Sequence, residues 1–163
     1  MNSQLLITNK NSKKTLAKSK KLLDVTNRIV IKQTQKKEKR KIWQDSDTSL
    51  VWQLEMNSEK YDWNEIFDYV KKLNKEDYGG YNDWRIPTKK ELETILSNKS
   101  YKNENRYKYF IKEPLINSLK GYYYWSSTVN KKNLNDAWIV SFGSGYMYSN
   151  NKLGKLGVKC VRG

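Results

Sequence analysis

The sequence predicts an α+β fold in which helices come first and an antiparallel sheet follows. Helix-start signals stand near residues 62 and 88, and strand-like segments follow one another from residue 122 onward. Aromatic residues make up 13% of the chain, which is enough to fill a compact core. At 163 residues, the chain has room for one domain and an appendage.

A change in composition divides the chain near residue 42. All six tryptophans and all twelve tyrosines lie at or after Trp43, whereas residues 1–42 carry 13 Lys and Arg against 2 Asp and Glu. We therefore predict a basic N-terminal leader over 1–41, partly ordered or flexible, and a folded domain over 42–163. The leader's apolar residues predict a weak helix at about 12–24 and a short strand at about 28–33.

Most of the net charge of +15 lies in the leader, where the sequence KKEKRK occupies residues 36–41. A segment of this kind is either a solvated arm or a salt-sensitive, unselective binder of polyanions such as nucleic acid or a membrane surface. The sequence shows neither a signal peptide nor the roughly 18 consecutive apolar residues of a membrane span. The chain as given therefore predicts a cytoplasmic protein without a membrane span.

The first part of the domain predicts two short strands and then a helix. Residues 42–53 read IWQDSDTSLVWQ, in which Asp, Ser and Thr form a turn between two apolar segments. The helix at 62–74 has apolar residues at helical spacing. Asp62 can cap this helix, and Glu65 stands three residues later, as in a capping box.

A second helix is predicted at 88–98. Pro87 disfavours helix before it, and Thr88 with Glu91 forms another capping box. Residues 99–120 are rich in Lys, Asn and Tyr and predict a long loop, with one turn of helix at 114–119.

Four strands are predicted in the remainder of the chain. Gly143, Ser144 and Gly145 predict a tight hairpin between two of them. The strands are expected at 122–128, 136–142, 145–150 and 157–162. Helices followed by a strand meander are typical of α+β proteins with an antiparallel sheet.

Several motifs occur in the order typical of one known family. Residues 79–92 read GGYNDWRIPTKKEL and resemble GGYSDWRLPT-x-KEL, a hallmark of the Lcl C-terminal domain of collagen-like bacterial adhesins. DSDTSLVWQ resembles that family's D-x-x-TGLMWQ opening, YYYWSST its GYYWSST segment, and VKCVRG its VRCVR ending. The resemblance covers about residues 43–163. It implies a C-type-lectin-like fold, with two helices packed on a twisted antiparallel sheet.

The resemblance also implies a function, with two departures from the family pattern. Members are expected to be adhesins at the cell surface that bind sulfated glycosaminoglycans and form trimers, here without a collagen repeat that would enforce a trimer. Ser49 replaces the usual Gly. Val70 stands where many members carry a cysteine that would bond the one matching Cys160, so the resemblance does not carry an oxidising environment over to this chain.

Composition disfavours an enzyme. The chain has no histidine and a single cysteine, Cys160, so imidazole bases and Cys/His zinc sites are absent. Cys160 lies in an apolar segment and predicts a buried, inert thiol. Asn82 and Asp83 suit calcium chemically, but further ligands are not evident nearby. We predict no catalytic residues, no metal site and no cofactor.

The aromatic and charged residues of the motifs have structural interpretations. Arg85 either pairs with a carboxylate such as Asp83 or Asp136 or faces a ligand. The tryptophans expected in the core are Trp52, Trp84, Trp125 and Trp138.

The late loops are the predicted binding site. C-type-lectin-like folds recognise ligands through such loops, and tyrosine and asparagine are residue types that adaptable binding surfaces use. Tyr146 and Tyr148 should share one side of their strand, with Met147 on the other. The candidate ligand-binding residues are Tyr146, Tyr148, Asn150, Asn151, Lys152, Lys131 and Lys132, with Lys155 as a further basic residue. The expected partner is an anionic glycan or a protein ligand, although an ordinary sheet surface would show the same pattern.

Overall fold

The computed structural model describes the backbone of residues 2–39, 41–55 and 58–163, and the side chains of 14–36, 41–55 and 58–163. The chain forms two compact units, Met1–Lys37 and Glu38–Gly163. The described part of the second unit contains three small antiparallel sheets together with helices. The predicted α+β class is therefore confirmed.

The described residues of the first unit belong to one long helix, α1 (Asn2–Lys39). The helix predicted at 12–24 lies within it, but the strand predicted at 28–33 is wrong. The segment contains no glycine or proline, and its Lys and Leu residues favour helix, so the few β-branched residues cost too little to interrupt it. Of the basic run 36–41, the side chains of 37–40 lie outside the described residues.

The described part of the second unit contains eight strands and four helical segments. Its strands are β1 (Ile42–Gln44), β2 (Val51–Gln53), β3 (Leu96–Lys102), β4 (Lys108–Ile111), β5 (Tyr123–Val129), β6 (Asp136–Ser141), β7 (Tyr146–Asn151) and β8 (Val161–Arg162). Its helices are α2 (Glu65–Lys75), α3 (Lys89–Thr94) and two 3₁₀ segments, Tyr78–Gly80 and Glu113–Ser118. The sheets are β1-β2-β8, β3-β4 and β5-β6-β7.

Both predicted capping boxes are present. The Asp62 Oδ1 atom accepts a hydrogen bond from the Glu65 backbone N–H at 3.0 Å, and the Asp62 N–H donates to the Glu65 carboxylate at 2.9 Å. This box closes the turn that leads into α2, so the regular helix begins three residues later than predicted. Thr88 and Glu91 form the second box at the start of α3.

The region after α3 differs most from the prediction. The helix predicted at 88–98 ends at Thr94, and the loop predicted at 99–120 contains the β3–β4 hairpin. The inward residues of β4, Tyr109 and Ile111, are buried, but the surrounding Lys and Asn residues hide this short alternation in the sequence. The predicted helical turn at 114–119 is confirmed as the 3₁₀ segment Glu113–Ser118.

The β5-β6-β7 sheet has a hydrophobic cluster on each face. Tyr124 and Val140 belong to the cluster that contains Trp52, and Trp125 and Ile139 belong to the one that contains Trp84. The hairpin predicted at Gly143–Gly145 joins β6 to β7. The strand predicted at 157–162 is reduced to β8, which pairs with β2 instead of with the meander.

Three of the four tryptophans predicted in the core are there. Trp52, Trp84 and Trp125 are at most 2% exposed. Trp138 is only partly buried, and the Lys89 ammonium lies 3.6 Å from the centroid of its ring. The core prediction for Trp138 is therefore corrected, because its ring forms a cation–π contact at the surface.

Val70 occupies the position where the resemblance leads one to expect a second cysteine. Its side chain packs against the cluster that contains Cys160, which is fully buried. Apolar packing thus takes the place of a bridge between these two parts of the domain. Burial also raises the pKa of the Cys160 thiol, in keeping with the predicted inert side chain.

Candidate ligand-binding site

The exposed side of β7 carries the two predicted tyrosines. Among the described strands, β7 pairs only with β6 and forms an edge of its sheet. Met147 packs against the core, whereas Tyr146 and Tyr148 are 67% and 44% exposed. The predicted alternation along this strand is therefore confirmed.

A surface depression of about 350 Å³ lies beside Tyr148, and we name it the β7 depression. Its lining contains two half-exposed tyrosine side chains, Tyr123 and Tyr148, together with the apolar side chains of Ile139 and Leu156. Asn150 also lines it, but Tyr146 does not. Tyr123 was not predicted here, although its register with Ser141, itself opposite Tyr146, places it on the tyrosine-bearing face.

The other predicted residues meet at the far end of β7. Asn150 pairs with Ala137 and Asn151 with Asp136, so both lie next to the loop 130–135 that carries Lys131 and Lys132. The backbone N–H of Lys152 donates to the Asn135 carbonyl at 2.9 Å and joins the two segments. The structure therefore groups Asn150, Asn151 and Lys152 with the lysine loop and leaves Tyr146 at the opposite end.

The lysines of this region differ in what they contact. The Lys155 ammonium is hydrogen-bonded to Glu65 and Asp62, and the Glu65 bond raises the Lys155 pKa. Lys155 therefore does not supply the predicted free basic charge. The Lys152 ammonium lies 4.4 Å from the centroid of the Trp63 ring, in a cation–π contact. Lys131 and Lys132 are exposed, and neither forms a salt bridge to a described carboxylate.

Arg85 is a structural residue, with a partner different from the two predicted. Its guanidinium donates to both Glu91 carboxylate oxygens, at 2.9 and 2.6 Å, and to the Gly163 carbonyl at 3.0 Å. Burial raises the pKa of Glu91, but the hydrogen bonds from Arg85 and Thr88 outweigh it and leave that pKa lowered. Asp83 instead binds Arg162 at 2.6 Å.

Sequence reasoning missed one unusual side chain in the core. Lys159 is fully buried, and its ammonium nitrogen lies 2.6 Å from the Ser118 hydroxyl oxygen. Burial lowers the Lys159 pKa to about 7. The strand prediction at 157–162 implies alternate burial, but Val158, Lys159 and Cys160 are all buried, so alternation could not have identified it.

Two other features were sought among the described residues: a metal site and a membrane-spanning helix. In the part of the chain that the structure describes, no group of three or more acidic or cysteine side chains is placed to hold a metal ion. Within the same residues, no helix combines the length and apolar character that a membrane crossing requires.

Comparison with known proteins gives one finding. The family model of the Lcl C-terminal domain matches residues 41–162. No curated protein gives a significant match to the chain.

Proposed function

Because the chain belongs to the Lcl C-terminal domain family, whose members are non-catalytic, adhesin-type domains, we propose that residues 42–163 form a recognition domain for an anionic glycan. The membership itself indicates a binding or adhesion domain. A C-type-lectin-like arrangement of the sheets and a location at the cell surface form part of the proposal. A protein ligand at the same surface is the competing outcome of the test below.

The observation that carries the proposal is the β7 depression. Two half-exposed tyrosines, Tyr123 and Tyr148, flank apolar surface from Ile139 and Leu156. Aromatic rings offer a sugar a large contact area at a small entropy cost, and the Asn150 amide adds hydrogen bonding. Concave surfaces with apolar walls and a few polar groups are the usual form of ligand sites.

Charge at the end of the depression favours an anionic ligand. Lys131, Lys132 and Lys152 belong to the two segments that meet there. Asp136 is the acidic residue of the same segments, so the local balance is positive. A sulfate or carboxylate group attached to a sugar in the depression would find this positive end along the same strand.

The proposal is tested with a sulfated heparin oligosaccharide and isothermal titration calorimetry. We expect the Tyr148→Ala and Tyr123→Ala variants each to weaken binding about tenfold, as central aromatic contacts do. Combining Lys131→Ala with Lys132→Ala should weaken binding and reduce its salt dependence. Tyr107→Ala, an exposed tyrosine outside this depression, is the matched control.

Two outcomes would contradict the proposal. One is unchanged affinity in the Tyr123 and Tyr148 variants while their folded spectra match the wild type. The other is a failure of the oligosaccharide to bind the wild-type domain while a protein ligand binds at β7. A variant with Tyr146, Tyr148 and Lys152 all changed to alanine tests how far the binding surface extends. If its affinity falls further than that of Tyr148→Ala, the ligand also contacts β7 outside the depression.

The leader supports a second candidate function, binding of nucleic acid or an anionic membrane surface. Residues 14–36 are all exposed and carry seven Lys and Arg against one acid, Asp24. That acid is itself bound to Arg28 at 3.0 Å. Deleting residues 1–41 should abolish binding to duplex DNA and to phosphatidylserine vesicles. Survival of that binding after the deletion would rule this candidate out.

The trimer implied by the family resemblance is also a proposal for this chain. Sedimentation equilibrium of the full chain should give three times the monomer mass, and the same measurement on residues 42–163 tests whether the leader is needed. A monomer in both experiments would contradict it.

A further inference from the structure

A second depression, of about 440 Å³, shares no lining residue with the β7 depression. We name it the hairpin depression, because the turn between β3 and β4 forms one wall and residues 117–122 form the other. Neither the proposed function nor the predicted site residues use it. Its lining includes tyrosine and asparagine side chains from both walls.

Tyr109 supplies a hydroxyl group without a partner at this depression. The residue is 4% exposed, and its hydroxyl makes no hydrogen bond within the described residues. Among the described residues, the Trp52 indole nitrogen is the fully buried side-chain polar atom that lacks a hydrogen-bond partner. The Tyr109 hydroxyl also lacks a partner but is not fully buried, so it is accessible from the hairpin depression. Burial raises the Tyr109 pKa, so at neutral pH this group is a hydrogen-bond donor.

Two asparagines add donors of fixed orientation. The Asn103 side-chain carbonyl accepts from the backbone N–H groups of Asn105 and Tyr107 at 3.1 and 2.9 Å. The Asn117 side-chain carbonyl accepts from the Glu104 N–H at 3.3 Å. These bonds fix which way each amide points. The amide NH₂ groups of Asn103 and Asn117 have no described partner and remain available to a ligand.

The hairpin depression also contains ring surfaces and balanced charge. Tyr107 is 56% exposed and Tyr122 is 37% exposed. The Tyr122 ring lies 5.1 Å from the ring of Tyr109, measured between centroids, which holds it in place. Glu104 and Lys120 line the depression with one charge of each sign, whereas the exposed Arg106 of the same turn does not line it.

We infer that the hairpin depression binds an uncharged sugar unit. Sugar hydroxyls both donate and accept, so they can use the donors of Tyr109, Asn103 and Asn117 as well as the Glu104 carboxylate as acceptor. The exposed tyrosine rings can pack against the C–H face of the sugar. An uncharged sugar needs no ion pair at this site, because Glu104 can accept from one of its hydroxyls and Lys120 can donate to another. The inference is independent of the proposed function, because the two depressions use different residues.

The test uses the full chain labelled with ¹⁵N, titrated with the methyl glycosides of glucose, galactose, mannose and N-acetylglucosamine. We expect at least one of them to shift the side-chain amide signals of Asn103 and Asn117. Tyr109→Phe removes only the hydroxyl and should weaken that binding about fivefold, as the loss of one hydrogen bond does. Because this hydroxyl has no internal partner, the melting temperature should stay unchanged.

Tyr107→Ala is the second variant, and it should also weaken binding, whereas Tyr148→Ala should not. The inference is wrong if none of the four glycosides shifts these amide signals, or if the shifts occur only at β7. It is equally wrong if Tyr109→Phe and Tyr107→Ala both bind as the wild type does, or if a sulfated oligosaccharide binds here in preference to the neutral sugars. Loss of heparin binding in the Tyr148 variant concerns the β7 depression alone, so the two failures are distinguishable.

Discussion

The tryptophans of the interior and the tyrosines of the surface use aromatic rings for opposite purposes. Trp84 and Trp125 are buried, and their indole N–H groups donate to the backbone carbonyls of Tyr78 and Tyr61 at 2.9 and 2.8 Å. Tyr146, by contrast, is 67% exposed. Aromatic content alone therefore does not distinguish a core from a binding surface. Trp125 and Tyr148 both lie opposite Ile139 and so share one face of the sheet. The difference lies in whether other parts of the domain cover that stretch of the face.

The largest expected effect separates the two groups directly. Trp125→Ala should destabilise the domain by about 3–5 kcal/mol, because it leaves a large cavity in the cluster that also contains Ile66 and Leu73 of α2. Tyr148→Ala should change the free energy of unfolding by less than about 0.5 kcal/mol, as substitutions at exposed sites do. Urea denaturation followed by circular dichroism measures both. Equal losses in the two variants would break the distinction between core and surface.

A disulfide introduced into the interior should have the second largest effect on the free energy of unfolding. Val70→Cys places a second thiol in the cluster that contains Cys160. Under oxidising conditions we expect a disulfide that raises the free energy of unfolding by about 2–4 kcal/mol. Thiol titration and thermal melts, with the reduced variant as control, check this. Two free thiols after oxidation would show that these positions do not meet the geometry of a bridge.

The buried Lys159 should make the free energy of unfolding depend on pH. The Lys159 pKa is about 7 in the folded state, below its ordinary value of 10.5, so between these values the unfolded chain binds more protons. Stability should therefore rise with pH, by roughly 2 kcal/mol between pH 7 and pH 9. Lys159→Met should remove this rise. If the variant and the wild type have the same pH profile of unfolding free energy, the buried ammonium is not its source.

The smallest expected effect is at the surface outside both depressions. Tyr146→Ala should leave stability within about 0.5 kcal/mol of the wild type. It should also weaken binding of the heparin oligosaccharide less than Tyr148→Ala does, because Tyr146 does not line the β7 depression. Calorimetry on the two variants side by side measures the difference. If Tyr146→Ala lost more affinity than Tyr148→Ala, the binding surface would lie nearer the β6–β7 turn.

The elements that were predictable from the sequence have strong local signals. Asp62 with Glu65, and Thr88 with Glu91, marked the two helix starts, because a capping box depends on four adjacent residues. The β3–β4 hairpin was not predictable in this way. Its buried residues, such as Tyr109 and Ile111, are few and are surrounded by Lys and Asn, and their burial depends on contacts with distant segments.

The candidate site was predictable in part for the same reason. Alternation along β7 identified the side that carries Tyr148. Tyr123 could not be assigned to the same depression without the pairing of β5 with β6. The partner of Lys155 is Glu65, which lies 90 residues away in the sequence, and such a long-range pair leaves no pattern in a single sequence. The partner of Arg85 is Glu91, only six residues away, but this pair depends on how the chain turns at Pro87 into α3.

The pairing of β8 with β2 has a consequence for biosynthesis. Trp52 lies opposite Val161, so strands from opposite ends of the domain's sequence complete one sheet. During translation, the tryptophan side of that sheet must wait for almost the whole domain to leave the ribosome. Until then β2 lacks one of its partner strands, and we expect the incomplete chain to be prone to association through this unpaired edge.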